Sequence, residues 1–321
     1  MDDFDPPRSP PLLCADTRSL LCPETLFSSD DDDNAAIILE TETLCSTFHN
    51  QSHFKNDEYI KTLVAKETDQ RIAPPSSLNE IASWLKSARS DAVQWITENQ
   101  VSLGFCCQTA YLAVLYCDRY LSNLSAIDVV TIKQSRAIEL LGIVCLSIAA
   151  KVEEGTCWPL SHFVSPDFKH KMKFINKAEL LVLTVLDWRM AMITPFYYLH
   201  FFISKFGNES QLKDLVSRAV EHILAFMKVT SLMDHSSYAI AAAAILATLD
   251  PKLSESNVRD KMGLLSFSAF LKIDHVVACY IIMLQSKASL DGSSIHRDRE
   301  TKRRRLAFDG SSTSGHGGAL S

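Results

Sequence analysis

The chain has 321 residues, 47% of them hydrophobic and 22% charged, with a formal net charge of −6. At about 150 residues per domain this is two domains, or one with tails. The mix excludes a wholly disordered chain, a collagen-like chain and a disulfide scaffold, and the negative balance argues against a protein built to coat nucleic acid. Charge is spread unevenly: residues 1–50 hold eleven acidic and two basic side chains, residues 51–286 hold 23 of each, and residues 287–321 hold seven basic and four acidic.

In chain order, residues 1–54 carry Pro6, Pro7, Pro10, Pro11 and the acidic run 30–33 without sustained apolar periodicity. Such a segment cannot bury enough surface to offset its ordering entropy, so a disordered acidic tail is expected. Its acidic, proline-rich start also runs against a secretory signal peptide. Helical spacing then predicts helices over 57–67, 88–100 (Ala88, Ala92, Trp95 and Ile96 on one face), 108–121, 134–151 and 174–186. Thr194-Pro195 opens a second set, because proline suits a first turn. That set covers 195–206, 211–231, 236–249, 256–265 and 273–288. The runs 140–150 and 238–248 are apolar on every side, which marks helices buried all round. The body therefore reads as all-α: two tandem five-helix bundles over 55–190 and 191–288, each wrapped around one central buried helix. Residues 289–321, rich in Ser and Gly, read as a disordered basic tail.

Nine cysteines with no CxxC pair predict free thiols in a reducing, intracellular setting. No apolar run reaches the roughly 20 residues that span a bilayer. The chain has neither GxGxxG nor GxxxxGK, no HExxH and no Gly-x-Ser-x-Gly elbow. His49 and His53 are four apart but sit among residues that offer no further ligand, and metal sites need three or four. These absences favour a helical binding module over an enzyme, with no cofactor and no metal.

Three blocks are more specific: Cys117-Asp118-Arg119-Tyr120-Leu121-Ser122; Leu140-Leu141-Gly142 leading to Ala149-Ala150-Lys151-Val152-Glu153-Glu154; and Glu179-Leu180-Leu181 ending at Asp187-Trp188. Their order and spacing resemble the cyclin box, over about 55–285. Together with Leu20-Leu21-Cys22-Pro23-Glu24, a match to the LxCxE motif, the chain resembles a plant D-type cyclin.

The resemblance assigns five hallmark positions. Arg89 and Asp118 are to form a buried ion pair tying the first helix of the box to the second, and Leu140 belongs to the box core. Lys151 and Glu179 are to reach backbone groups of a cyclin-dependent kinase. Local chemistry offers other readings for these two. Lys151 suits a helix C-terminus through the dipole, and Asn176-x-x-Glu179 has the form of a capping box. The family's docking groove for Arg-x-Leu peptides maps onto Ala88, Asp91, Ala92, Trp95, Glu98, Ile138 and Glu139. Trp95 and Ile138 fit, whereas Ala88, Asp91 and Ala92 stand where larger apolar residues are typical.

Along an extended strand Leu20, Cys22 and Glu24 point to one side, and Pro23 biases Cys22 toward that conformation. An apolar group, a small thiol and a carboxylate thus present to one groove, which the resemblance identifies as that of a retinoblastoma-related protein. Lys302, Arg303, Arg304 and Arg305 form a basic cluster expected to act as a nuclear import signal, and Arg304-x-Leu306 also has the form of a docking peptide. Ser9-Pro10 is a candidate proline-directed phosphosite.

The resemblance implies a non-catalytic regulator that activates a cyclin-dependent kinase and directs it to the retinoblastoma-related protein, promoting entry into DNA synthesis. Cyclin-dependent kinase inhibitors are further expected partners, and the nucleus, with a cytoplasmic pool, is the expected location. The rival reading is a nucleic-acid-binding double cyclin fold of the general-transcription-factor kind. The neutral body argues against it.

Overall fold

A computed structural model describes residues 57–70, 79–124, 135–154, 172–207, 211–266 and 268–286. Every regular element among them is helical, with no strand among the described residues. In the first half the helices are α1 (Asp57–Gln70), α2 (Asn79–Leu103), α3 (Cys107–Ser122), α4 (Ser135–Glu153) and α5 (Met172–Val185). The second half has α6 (Phe196–Phe206), α7 (Leu212–Val229), α8 (Ser237–Leu249), α9 (Glu255–Gly263) and α10 over 273–286.

The expected helices are all present, but α2 begins nine residues before Ala88. The apolar face that Ala88, Ala92 and Ile96 define continues backwards through Trp84 and Leu85, which are half-buried against the core. Residues 141–150 of α4 and 237–248 of α8 are buried continuously, as their all-round apolar composition demands. α3 is a third such helix: every residue from Cys107 to Leu121 is buried. It packs on α2 and α4 and also on α7 and the 3-10 turn Leu232–Asp234, so it spans both halves. α2 and α4 approach closely at Gly142, where an added Cβ would sit 2.9 Å from the Trp95 ring.

The connection between halves is held from several sides. Tyr116 Oη donates to Met190 O at 2.5 Å, and Arg119 donates to Arg189 O at 3.0 Å and Leu186 O at 3.4 Å. Gln70 of α1 donates to Ala191 O at 2.8 Å and accepts from Ile193 N at 3.3 Å. The buried Glu67 carboxylate, also on α1, accepts from Tyr198 Oη at 3.0 Å and from the Ser237 amide at the start of α8. An anion there favours the helix dipole. Pro195, with φ −57°, sits at the start of α6, as the sequence predicts. Cys107, Cys117, Cys145 and Cys279 are buried free thiols and Cys106 is half-buried.

Candidate functional site

Lys151 lies in the last turn of α4 and Glu179 midway along α5. These helices pack together, and Lys151 Nζ is in contact with Glu179 Oε1. The lysine side chain is 37% exposed and the glutamate 13%, so the pair forms at the surface. Glu179 is seven residues inside α5, which rules out the capping-box reading. Beside Glu179, Leu180 and Leu181 are 55% and 54% exposed. Leucine is rarely this open twice in succession on a well-packed helix; a charged pair next to paired apolar side chains has the composition of a docking patch.

The end of α5 is shaped with unusual backbone geometry. Asp187 and Trp188 have φ of 53° and 57°, a left-handed region that disfavours side chains. Strain of this kind persists only where surroundings over-determine it. The buried guanidinium of Arg119 supplies that constraint by holding the Leu186 and Arg189 carbonyls on either side. Sequence reasoning used Asp118 and passed over Arg119 and Tyr116. The available signal was two adjacent charges inside an apolar helical run.

Arg89 and Asp118 form a bidentate pair, Nε to Oδ1 at 2.7 Å and Nη2 to Oδ2 at 3.2 Å, with Asp118 almost wholly buried. Both partners also reach into the second half. Arg89 Nη2 donates to Met227 O at 2.8 Å, and Asp118 Oδ2 accepts from Leu232 N at 2.7 Å. The pair therefore joins α2 and α3 to the end of α7, a reach that a pairwise reading of the box does not contain. Burial pushes the Asp118 carboxyl up, against the pull of Arg89 and the Leu232 amide.

A buried acidic pair, Glu153 and Glu154, closes α4. Glu154 Oε1 accepts from Cys106 N at 2.8 Å and from Thr109 Oγ1 at 2.7 Å. It thereby serves the start of α3, where Cys106 makes no side-chain cap of its own. Glu153 meets only an amide in this set, accepting from Gln108 Nε2 at 3.0 Å. Burial, followed by the neighbouring Glu154 charge, pushes its carboxyl up to about 7, opposed by the Gln108 bond.

Ala88 and Ala92, which the resemblance maps to the docking groove, are 3% and 0% exposed. Ile138 is buried and Trp95 half-buried over Gly142, while Asp91 and Glu98 are exposed. Leu140, expected in the core, is half-buried at its edge. The motif Leu20, Cys22, Glu24, the cluster Lys302, Arg303, Arg304, Arg305, His49, His53 and Ser9-Pro10 all lie outside the described residues. No group of three or more His, Cys, Asp or Glu among the described residues could hold a metal, and no described helix is long and apolar enough to cross a membrane.

A family model described as "Cyclin, N-terminal domain" matches residues 58–191. The chain is 31% identical to Cyclin-D5-1 of Arabidopsis thaliana over 316 residues, covering 92% of this chain and 94% of that protein. It is 36% identical to Cyclin-D5-1 of Oryza sativa subsp. japonica over 210 residues, 64% of this chain and 56% of that protein. It is 34% identical to Cyclin-D1-1 of Arabidopsis thaliana over 232 residues, 71% of this chain and 66% of that protein.

Proposed function

The chain belongs to the plant D-type cyclins, and from that premise we propose that it docks a cyclin-dependent kinase on Lys151, Glu179, Leu180 and Leu181, and brings a retinoblastoma-related protein to it through Leu20, Cys22 and Glu24. Its broad role is that of the family: a regulatory subunit of the cell cycle, partnered with a cyclin-dependent kinase rather than catalytic itself.

The observation that carries the docking reading is the juxtaposition on α4 and α5. The Lys151 ammonium offers three donors and the Glu179 carboxylate accepts only, so together they can meet backbone carbonyls and amides of a partner helix end. Each gives up the other for that partner, so the exchange costs little in net charge pairing. Leu180 and Leu181 supply the apolar area, about 1.5–3 kcal/mol for each side chain fully covered. In protein kinases a Lys–Glu ion pair must be assembled by the regulatory helix; a cyclin held against that helix stabilises the assembled position.

The acidic head supplies the second function. Leu20, Cys22 and Glu24 present to a pocket protein as an extended peptide, so the kinase acts on a tethered substrate at high effective concentration. Cyclin-dependent kinase inhibitors would meet the same complex. Lys302, Arg303, Arg304 and Arg305 would carry it into the nucleus.

Reconstitution with a plant cyclin-dependent kinase tests the reading. Lys151→Glu combined with Glu179→Ala should abolish kinase activation while circular dichroism stays as in the wild type; full activation by this variant refutes the docking site. Cys22→Gly should remove capture of the retinoblastoma-related protein and leave activation of the kinase on a peptide substrate intact. Undiminished capture refutes the assignment of the head.

A further inference from the structure

We propose that residues 44–56, the segment leading into α1, lie across the loop between α9 and α10 and cover Leu264 and Phe270. These are the most exposed large apolar side chains among the described residues, at 84% and 69%. They lie in one short loop, six positions apart in the sequence.

The start of α1 is tied to that same loop. Asp57, its first residue, accepts a hydrogen bond from the Ser266 hydroxyl, and its other carboxylate oxygen is 2.9 Å from Lys205 Nζ. These contacts hold the Asp57 carboxyl low, the Ser266 bond first and Lys205 second. Whatever precedes residue 57 therefore leaves the fold beside residues 264–270. Phe54 is three residues upstream, within about 10 Å of Asp57 along the chain. Leu264 is two residues from Ser266, about 7 Å, and Phe270 is four away, at most about 14 Å. The 3-10 turn Ser268–Phe270 shortens that last distance. Phe54 can thus reach either side chain, and Phe48 and Leu44 continue the apolar series upstream.

Residues 44–56 hold Lys55 and no acidic side chain, so the contact is apolar rather than electrostatic. A second copy of the chain has no comparable anchor, because the Asp57 contacts are intramolecular. The chain's own upstream segment is therefore the occupant. Docking from residue 44 onward would bring the segment that carries Glu24 to the folded body beside the second-half bundle.

Full-length protein carrying Phe270→p-benzoylphenylalanine tests this by photo-crosslinking and peptide mapping. The expected product is a monomer with an internal crosslink to a peptide within 44–56. A crosslinked dimer would assign the patch to a second copy, and a crosslink elsewhere in the chain or none at all would leave it to another segment or to solvent; each overturns the proposal. A second measurement uses no substitution in the loop. Phe48→Ser with Phe54→Ser should raise amide exchange over 264–272 about tenfold. Unchanged exchange in that variant overturns the proposal as well.

Discussion

The two ion pairs of the box, Arg89–Asp118 and Lys151–Glu179, share a chemistry and differ in surroundings. Asp118 is almost wholly buried, and its pair extends by hydrogen bonds to Met227 and Leu232 in the other half of the molecule. Lys151 is more than a third exposed and makes a single contact with Glu179, beside two open leucines. The first pair engages Arg89 Nε and Nη2 and both Asp118 oxygens inside the fold. The second is held together by one contact in a high-dielectric setting, where the attraction is small. Burial separates a joint from a docking surface, although both are written as a cation and an anion in the same motif. Glu153 is a third case, a buried carboxyl that meets an amide instead of a cation.

The largest effect is expected at the joint. Asp118→Ala leaves the Arg89 guanidinium and the Leu232 amide without their acceptor inside the protein. It should destabilise the fold by about 3–5 kcal/mol, read from urea midpoints. A loss below about 1 kcal/mol would put Asp118 on the same footing as the surface pair and erase the contrast.

Glu153 comes next, and its effect depends on pH. Its carboxyl is raised from its ordinary 4.5 to about 7 in the folded chain, so the folded state binds this proton more tightly than the unfolded one. The resulting stabilisation is complete below about pH 4.5 and is lost as pH rises to about 7. Gln in that position imitates the protonated form at every pH. Glu153→Gln should therefore match the wild type near pH 4 and exceed it above pH 7 by about 3 kcal/mol at most. Asp118 shifts in the same direction but is common to both proteins, so the difference between their pH profiles isolates Glu153. Parallel profiles would refute the assignment.

The smallest change in stability is expected at the surface. Removing both charges, Lys151→Ala with Glu179→Ala, should alter folding by no more than about 1 kcal/mol. The same variant should lose kinase activation. Large destabilisation with retained activation would reverse the roles given to the two pairs.

Much of this architecture is legible in the sequence. The runs 140–150 and 238–248 can only be helices buried all round, because no face of them is polar, and the helices of both halves follow from 3.6-residue periodicity. The early start of α2 was also readable, in Trp84 and Leu85, but propensity in its first turns is weak and boundaries depend on what packs there. The types and spacing of Lys151, Glu179, Arg89 and Asp118 likewise identify them as notable residues.

Tertiary structure alone decided what those residues do to one another. Periodicity assigns Ala88 and Ala92 to a helix face, but only the packed helices show that they are buried. The bonds from Arg89 to Met227 and from Asp118 to Leu232 span more than a hundred residues of chain, and the anchoring of Asp57 on Ser266 spans two hundred and nine. Sequence patterns record the local periods of a chain, 3.6 residues for these helices. Contacts closed by folding carry no such period, so the joint, the clamp on the Asp187-Trp188 turn and the exit point of the acidic head became visible only when the helices were packed.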